Sequence, residues 1–336
     1  MTFPLSFFLF FFSLLMGSLI SISSTSWFGA WIGLELNMMS FIPLITLKMN
    51  PYYSEAALKY FLIQALGSTL LIMSSFFSIS FSYLASVLLL LALLLKLASA
   101  PFHFWFPHIM EGLAWPQAFL LMTLQKLAPM ILLSYLMFNF LLVKVVLFSA
   151  ILSSLIGALG GLNLTPLRKI IAFSSINHMS WMLLAISIGD SFWLFYFSVY
   201  SFIIFSISAT FHKLQAFTLS DLVQSDYTSV YHASLISFNF LSLSGLPPFT
   251  GFIPKWMTIQ IMVDLNLFVP LFFLLLSALI TLYFYLRIII TFLIMVNPSL
   301  AFNTKMKPYT SASPMLILSM SFNFIGLLLP IYFLIL

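Results

Sequence analysis

About eleven stretches of this chain are long and apolar enough to be membrane-crossing helices, and nothing else narrows the fold as much. A crossing takes roughly 20 apolar residues for a hydrocarbon core about 30 Å thick. Such runs lie near 4–24, 27–47, 56–80, 84–111, 115–137, 141–162, 166–187, 191–216, 231–263, 267–296 and 313–335. They take up most of the 336 residues and leave short loops, with no room for a domain outside the membrane. Strands of a membrane barrel would alternate apolar and polar side chains, and runs such as Leu88-Leu89-Leu90-Leu91 do not. The expected fold is all-α and polytopic.

Composition closes the other routes. Hydrophobic residues make up 62% and charged residues 6%, whereas soluble domains run near 45–50% and about 25%. The net charge of +5 comes without a basic cluster, so nucleic acid is not an expected partner. With no cysteine, disulfides, thiolate metal sites and cysteine nucleophiles are excluded for this chain. Met1 to Met16 contain no Lys or Arg. Neither a secretory n-region nor an Arg-rich transit peptide is visible there, and the chain is expected to be made beside the membrane it enters.

The few charges fall into two groups. Lys48, Arg168, Lys169, Lys213, Lys305 and Lys307 lie in loops on the side of the N-terminus, against Lys144, Asp190 and Asp264 opposite. The positive-inside rule then puts the N-terminus on the cytoplasm-equivalent side, the matrix in a mitochondrion. Lys48, Lys59, Arg168, Lys169, Lys305 and Lys307 sit near helix ends, where long side chains can snorkel.

Two segments interrupt a crossing: Ala98 to Pro107 and Ser244 to Pro254. Pro101 and Pro107 recur 147 positions on as Pro248 and Pro254. They fall in the fourth and ninth expected crossings, so two five-helix units (about 1–138 and 141–296) would each carry one, followed by a C-terminal helix near 313–335. Five is odd, so the second unit would be inverted in the membrane. Paired discontinuous helices point to a transport site, because freed backbone groups need a polar cavity. Pro-rich joints that coincide, or ordinary loops splitting long runs, would look the same in sequence.

The second group of charges lies at depth, where an ionisable side chain costs a few kcal/mol or more. Glu35 follows Trp27 by eight residues, about 12 Å down a helix. Lys96 precedes the first break, Lys126 is central to its run, Lys255 follows the second break, His178 is central to another run, and His103 lies inside the first break. For His103 and His178 a structural polar contact is an equal reading. For three lysines and a glutamate in separate helices, a functional reading is stronger. Desolvation disfavours an ammonium and a nearby carboxylate restores it. A Glu–Lys pair of variable separation would therefore load and unload protons, and a row of such groups makes a relay. Carboxylate clusters for a hard-metal cage, phosphate-binding loops and haem-spaced histidines are not seen in the sequence. Ser74-Ser75 and Ser153-Ser154 read as helix-packing positions.

Several motifs carry a resemblance. Trp31-Ile32-Gly33-Leu34-Glu35-Leu36-Asn37, Glu55 to Leu62, Lys96 before Ala100-Pro101-Phe102-His103-Phe104-Trp105, Gln125-Lys126-Leu127-Ala128-Pro129, Gly160 to Asn163, Leu167-Arg168-Lys169, Ser174 to Met179 and Gly245 to Trp256 occur in order. Together they resemble the antiporter-like membrane-arm subunits of mitochondrial NADH:ubiquinone oxidoreductase, respiratory complex I, in an animal, arthropod-like form. The resemblance implies proton pumping and a mitochondrial inner-membrane location. It also implies about eleven helices, since animal versions lack three of the bacterial fourteen. Glu35 and Lys96 match the family's modulating ion pair, Lys126 the central relay lysine and Lys255 the terminal one. His178 matches a family motif position, and His103 is a further candidate. The implied partners are the other membrane-arm subunits, especially chains 4 and 4L, supernumerary subunits, and phospholipids such as cardiolipin. No cofactor is expected on this chain; FMN, iron–sulfur clusters and ubiquinone belong elsewhere in the complex. Ala98 and Ser244 stand where the family usually has Gly; both are small, and little change of backbone geometry is expected. A stand-alone cation/proton antiporter and a redox-inert scaffold of the complex are the rival readings.

Overall fold

The computed structural model describes residues 5–46, 50–224, 230–295 and 323. Within them the chain forms fourteen helices: α1 (Leu5–Ser23), α2 (Trp27–Ile45), α3 (Pro51–Ser80), α4 (Ser82–Leu97), α5 (Trp105–Gly112), α6 (Trp115–Met122), α7 (Leu124–Ser134), α8 (Phe140–Gly160), α9 (Leu167–Ile188), α10 (Asp190–Leu214), α11 (Leu219–Gln224), α12 (Val230–Ser244), α13 (Phe252–Asp264) and α14 (Phe268–Met295). Helices satisfy their own backbone groups, which is what a bilayer demands. Eight stretches among the described residues are long and apolar enough to cross, α6 and α7 counting together as one. The protein is an all-α, multi-pass membrane protein. Lys48, Lys305, Lys307 and, apart from Asn323, the expected C-terminal crossing at 313–335 lie outside the described residues.

The expected runs at 84–111 and 231–263 are each interrupted and form shorter helices. At 16 and 15 residues, α4 and α12 reach about 24 Å and 22 Å at 1.5 Å per residue, short of a full crossing. Each continues past a break into a second short helix, α5 or α13. The breaks match feature by feature, 147 positions apart. The first arm ends at Leu97 or Ser244, the next residue is left-handed (Ala98, φ 58°; Gly245, φ 75°), and the second arm starts at Trp105 or Phe252. The peptide bonds Ala100–Pro101 and Pro247–Pro248 are both cis. Ala98 holds the left-handed conformation that glycine favours, so the geometry persists at that departure despite its Cβ.

One interruption was not expected. The crossing over 115–137 divides at Thr123 (φ −117°, ψ −82°) into α6 and α7, three residues before Lys126. The sequence signals no break there: Thr123 is compatible with a helix, and Pro129, which is a breaker, sits inside α7.

Large apolar side chains such as Phe8, Phe12, Leu62, Phe76, Phe138 and Leu279 face outward, as a lipid-facing surface requires. At the centre runs α9, buried on nearly every side from Ile170 to Ile186, its polar Ser174, Ser175, Asn177, His178 and Ser180 included. Close helix contacts use glycine. A Cβ on Gly17 would stand 2.8 Å from the Asn37 nitrogen, and one on Gly157 would stand 2.7 Å from the Asn177 nitrogen. These two contacts, α1 on α2 and α8 on α9, are related by a shift of 140 positions. Buried serines such as Ser74 and Ser153 donate to carbonyls three residues back, in keeping with a packing role.

Candidate functional site

Lys96 lies in the last turn of α4 and is buried. Its carbon chain lies along α3 where Gly67 leaves room; a Cβ there would meet Lys96 Cγ at 3.2 Å. The break exposes the final carbonyls of α4. Trp105 Nε1, from the other arm, donates to the Leu95 oxygen at 3.2 Å, and Ser99 Oγ donates to that of Leu94 at 3.1 Å. Glu35, half-buried on α2, lies close enough for its charge to act on Lys96. The two make no contact ion pair, and Glu35 Oε2 is buried with no hydrogen-bond partner.

Lys126, in the first turn of α7, is 2% exposed and its Nζ has no hydrogen-bond partner. The ammonium lies 4.7 Å from the centroid of the Phe106 ring on α5, a contact that attracts a cation. Lys96 and Lys126 line one small cavity of about 10 Å³, shared with Gln64, Leu97, Trp105, Phe106, Leu121 and Gln125. The α6–α7 interruption and the first break therefore bring the two lysines to one space. Gln125 is tied to the surroundings: Tyr60 Oη donates to its Oε1 at 3.0 Å, and its Nε2 donates to Asn37 Oδ1 at 2.9 Å.

The second half is arranged around His178 on α9. Both Lys126 and Lys255 lie within electrostatic reach of its ring. Its Nδ1 shares a hydrogen bond of 2.9 Å with Tyr196 Oη, and the Tyr200 ring centroid is 5.1 Å away. Lys255, buried in the first turn of α13, reaches across the break and donates to the carbonyls of Leu243 (3.1 Å) and Ser244 (2.8 Å). The Trp181 ring, one turn beyond His178, lies 5.9 Å from its Nζ. Asn177 Oδ1 accepts from Ser277 Oγ of α14 at 3.1 Å, as Asn37 Oδ1 accepts from Gln125 of α7.

Five of the six residues singled out from sequence thus form a series: Glu35, Lys96, Lys126, His178, Lys255. His103 stands apart. Its Nδ1 contacts the Pro101 carbonyl at 3.2 Å within the same turn, and its ring packs on Phe104. Asn37, Gln125, Tyr60 and Tyr196 were not singled out. Asn37 and Gln125 had a signal, an amide inside an apolar run. The two tyrosines had none, since tyrosine is common in membrane helices.

At one end of the bundle the loop charges gather. The starts of α3 and α9 and the end of α5 form a polar cleft of about 560 Å³ lined by Glu55, Lys59, His108, Glu111 and Arg168 among others. Lys59 pairs with Glu55 and Lys169 with Glu111. Arg168 donates to the Leu113 carbonyl and stacks on Phe217. These are anchoring contacts away from the buried series.

Broken helices around midspan lysines define an antiporter-like membrane subunit, and sequence comparison agrees. The family model described as NADH:quinone oxidoreductase/Mrp antiporter, transmembrane, matches residues 24–83 and 76–281. The chain is 46% identical over 289 residues to NADH-ubiquinone oxidoreductase chain 2 of Anopheles gambiae, covering 82% of each. It is 44% identical over 332 residues to that of Aedes aegypti, covering 96% of each. The chain belongs to the NADH-ubiquinone oxidoreductase chain 2 family. Among solved structures, a chain of respiratory complex I from Thermus thermophilus superposes with a TM-score of 0.84 at 23% identity, over 97% of this chain and 79% of that one. A chain of an archaeal membrane-bound sulfane sulfur reductase gives 0.82 at 17% identity, over 96% and 73%. Both share the fold.

Proposed function

We propose that this chain is a proton-translocating membrane-arm subunit of NADH:ubiquinone oxidoreductase that moves protons through a buried Glu/Lys series. Lys96 and Lys126 facing one small cavity is the observation that carries the reading. Glu35 acts on Lys96 through its charge, and His178 and Lys255 continue the series beyond Lys126. Electron transfer elsewhere in the complex changes the Glu35–Lys96 separation. Lys96 then holds or releases its proton according to how near the carboxylate stands. The proton passes by way of Lys126 and His178 to Lys255 and leaves on the opposite side. The residues required are ones whose charge a low-dielectric interior makes conditional, and a buried Lys changes its proton affinity readily there. His103, bonded within its own turn, takes a structural role.

The relay spans two units, about 1–138 and 141–296. The matched breaks and the paired glycine–asparagine contacts support this division. The chain works in the mitochondrial inner membrane with its N-terminus on the matrix side, a placement supported by the basic residues gathered at one end. Its partners are other membrane-arm subunits, chains 4 and 4L among them, together with phospholipids. Flavin, iron–sulfur clusters and quinone are bound by other subunits. Lys126→Met tests the reading: in the assembled complex it should slow proton-coupled quinone reduction at least tenfold. Wild-type rate and proton stoichiometry with normal assembly would sink the relay.

A further inference from the structure

Gln125 borders the Lys96–Lys126 cavity, yet its amide is engaged elsewhere. Its Oε1 can only accept, so the Tyr60 hydroxyl is the donor at 3.0 Å, and its Nε2 must donate to Asn37 Oδ1 at 2.9 Å. The amide is thereby locked in one orientation, oxygen toward α3 and nitrogen toward α2. Both clamps are rigid. Tyr60 is 1% exposed and packs edge-on against Phe41 and Trp105. Asn37 is 2% exposed, and its backbone lies against Gly17 of α1. Lys126 Nζ meanwhile has no hydrogen-bond partner.

Among the described residues that line this cavity, Gln64, Gln125 and Trp105 are those besides the two lysines whose side chains carry N or O atoms, and the indole cannot accept. An amide oxygen turned onto a buried ammonium makes a charge-assisted hydrogen bond that holds the proton roughly tenfold tighter. A relay site must give its proton up, so such a bond would slow transfer. We infer that Tyr60 and Asn37 are positioning residues: they clamp the Gln125 amide away from the two lysines and so keep the shared cavity open for proton transfer. This inference rests on the relay reading above.

The test uses the assembled, purified complex in liposomes, with assembly checked on native gels and with NADH:ubiquinone turnover and proton uptake as readouts. Tyr60→Phe removes one clamp and Asn37→Ala the other. Each should slow coupled turnover about tenfold, as one misplaced charge-assisted bond would. Gln125→Met alone should run faster than Tyr60→Phe, and Tyr60→Phe combined with Gln125→Met should match Gln125→Met alone. Packing damage at Tyr60 would not be repaired by deleting a second polar group. Wild-type rates in both clamp variants overturn the inference, as does a Gln125→Met or a double variant as slow as Tyr60→Phe. If Tyr60→Phe fails to assemble, Asn37→Ala with and without Gln125→Met decides in the same way. Lys126→Met run alongside separates the two ideas. A wild-type rate there fails the relay, whereas a slow Lys126→Met with fast clamp variants fails only the clamp.

Discussion

The Lys255 ammonium donates to the Ser244 carbonyl at 2.8 Å, binding the two arms of the second broken helix to each other. Ser244 and Leu243 end α12, where carbonyls have no helical donor, and a cation there also meets the negative end of the helix dipole. In the first break an uncharged group does this work, Trp105 Nε1 on the Leu95 carbonyl. Shifted by 147, Lys255 falls on His108 and Lys96 on Leu243. The two breaks share a backbone but carry their lysines on opposite arms.

Lys255→Met should therefore cost stability as well as transport. The carbonyls of Leu243 and Ser244 lose their donor, and an orphaned buried polar group costs about 1–3 kcal/mol. A lower melting temperature of the purified complex, together with slowed proton uptake, is the expected result. Unchanged stability would show that the cap contributes nothing.

Gly245→Ala should displace the same lysine without altering its charge. A Cβ there would stand 2.6 Å from Lys255 Cδ, on a backbone at φ +75°. The left-handed conformation alone costs an alanine about 1 kcal/mol. Slowed turnover in a complex that still assembles is expected, measured as NADH:ubiquinone rate against subunit content.

The opposite change at the matching position should stabilise. Ala98 already holds φ 58°, so Ala98→Gly relieves steric strain at the cost of a more flexible unfolded chain. The net gain should be about 0.5 kcal/mol, read as a small rise in thermal stability with activity unchanged.

Asp221 offers a pH test outside the membrane-crossing helices. Burial pushes its carboxyl up, but hydrogen bonds from the Phe217 and Thr218 amides and the Thr218 side chain outweigh this and hold it below its usual value. A carboxyl depressed by folding lends stability above its unfolded value, and that stability fades as pH falls through the folded one. The 217–221 turn, joined to α9 by Leu167 N donating to the Phe217 oxygen at 2.9 Å, should loosen below about pH 4. Asp221→Asn should remove that pH dependence, as followed by protease susceptibility of the turn.

How much was legible beforehand differs by residue. The runs of Phe, Leu and Ile mark helices because a bilayer admits no other use of 20 apolar residues in a row. Pro101 and Pro248 mark the breaks, since proline removes a donor and crowds the preceding turn. Lys96, Lys126 and Lys255 were visible because charge is costly at depth. The Thr123 interruption was invisible: α7 packs mainly against α4 and α1, and no local residue demands a break. The same holds for Tyr60 and Tyr196, whose hydroxyls matter only through their partners.

Membrane insertion, helical class, the two breaks and the roster of buried ionisable residues follow from the sequence alone, since each depends on a transfer cost or a backbone constraint that acts locally. Which of those residues meet was decided by tertiary packing. Lys96 and Lys126 are thirty positions apart in the chain and share one cavity, while His103, seven positions from Lys96, contacts the Pro101 carbonyl within its own turn. Contact between side chains depends on how helices cross, and crossing depends on close approaches such as Gly17 against Asn37 and Gly157 against Asn177.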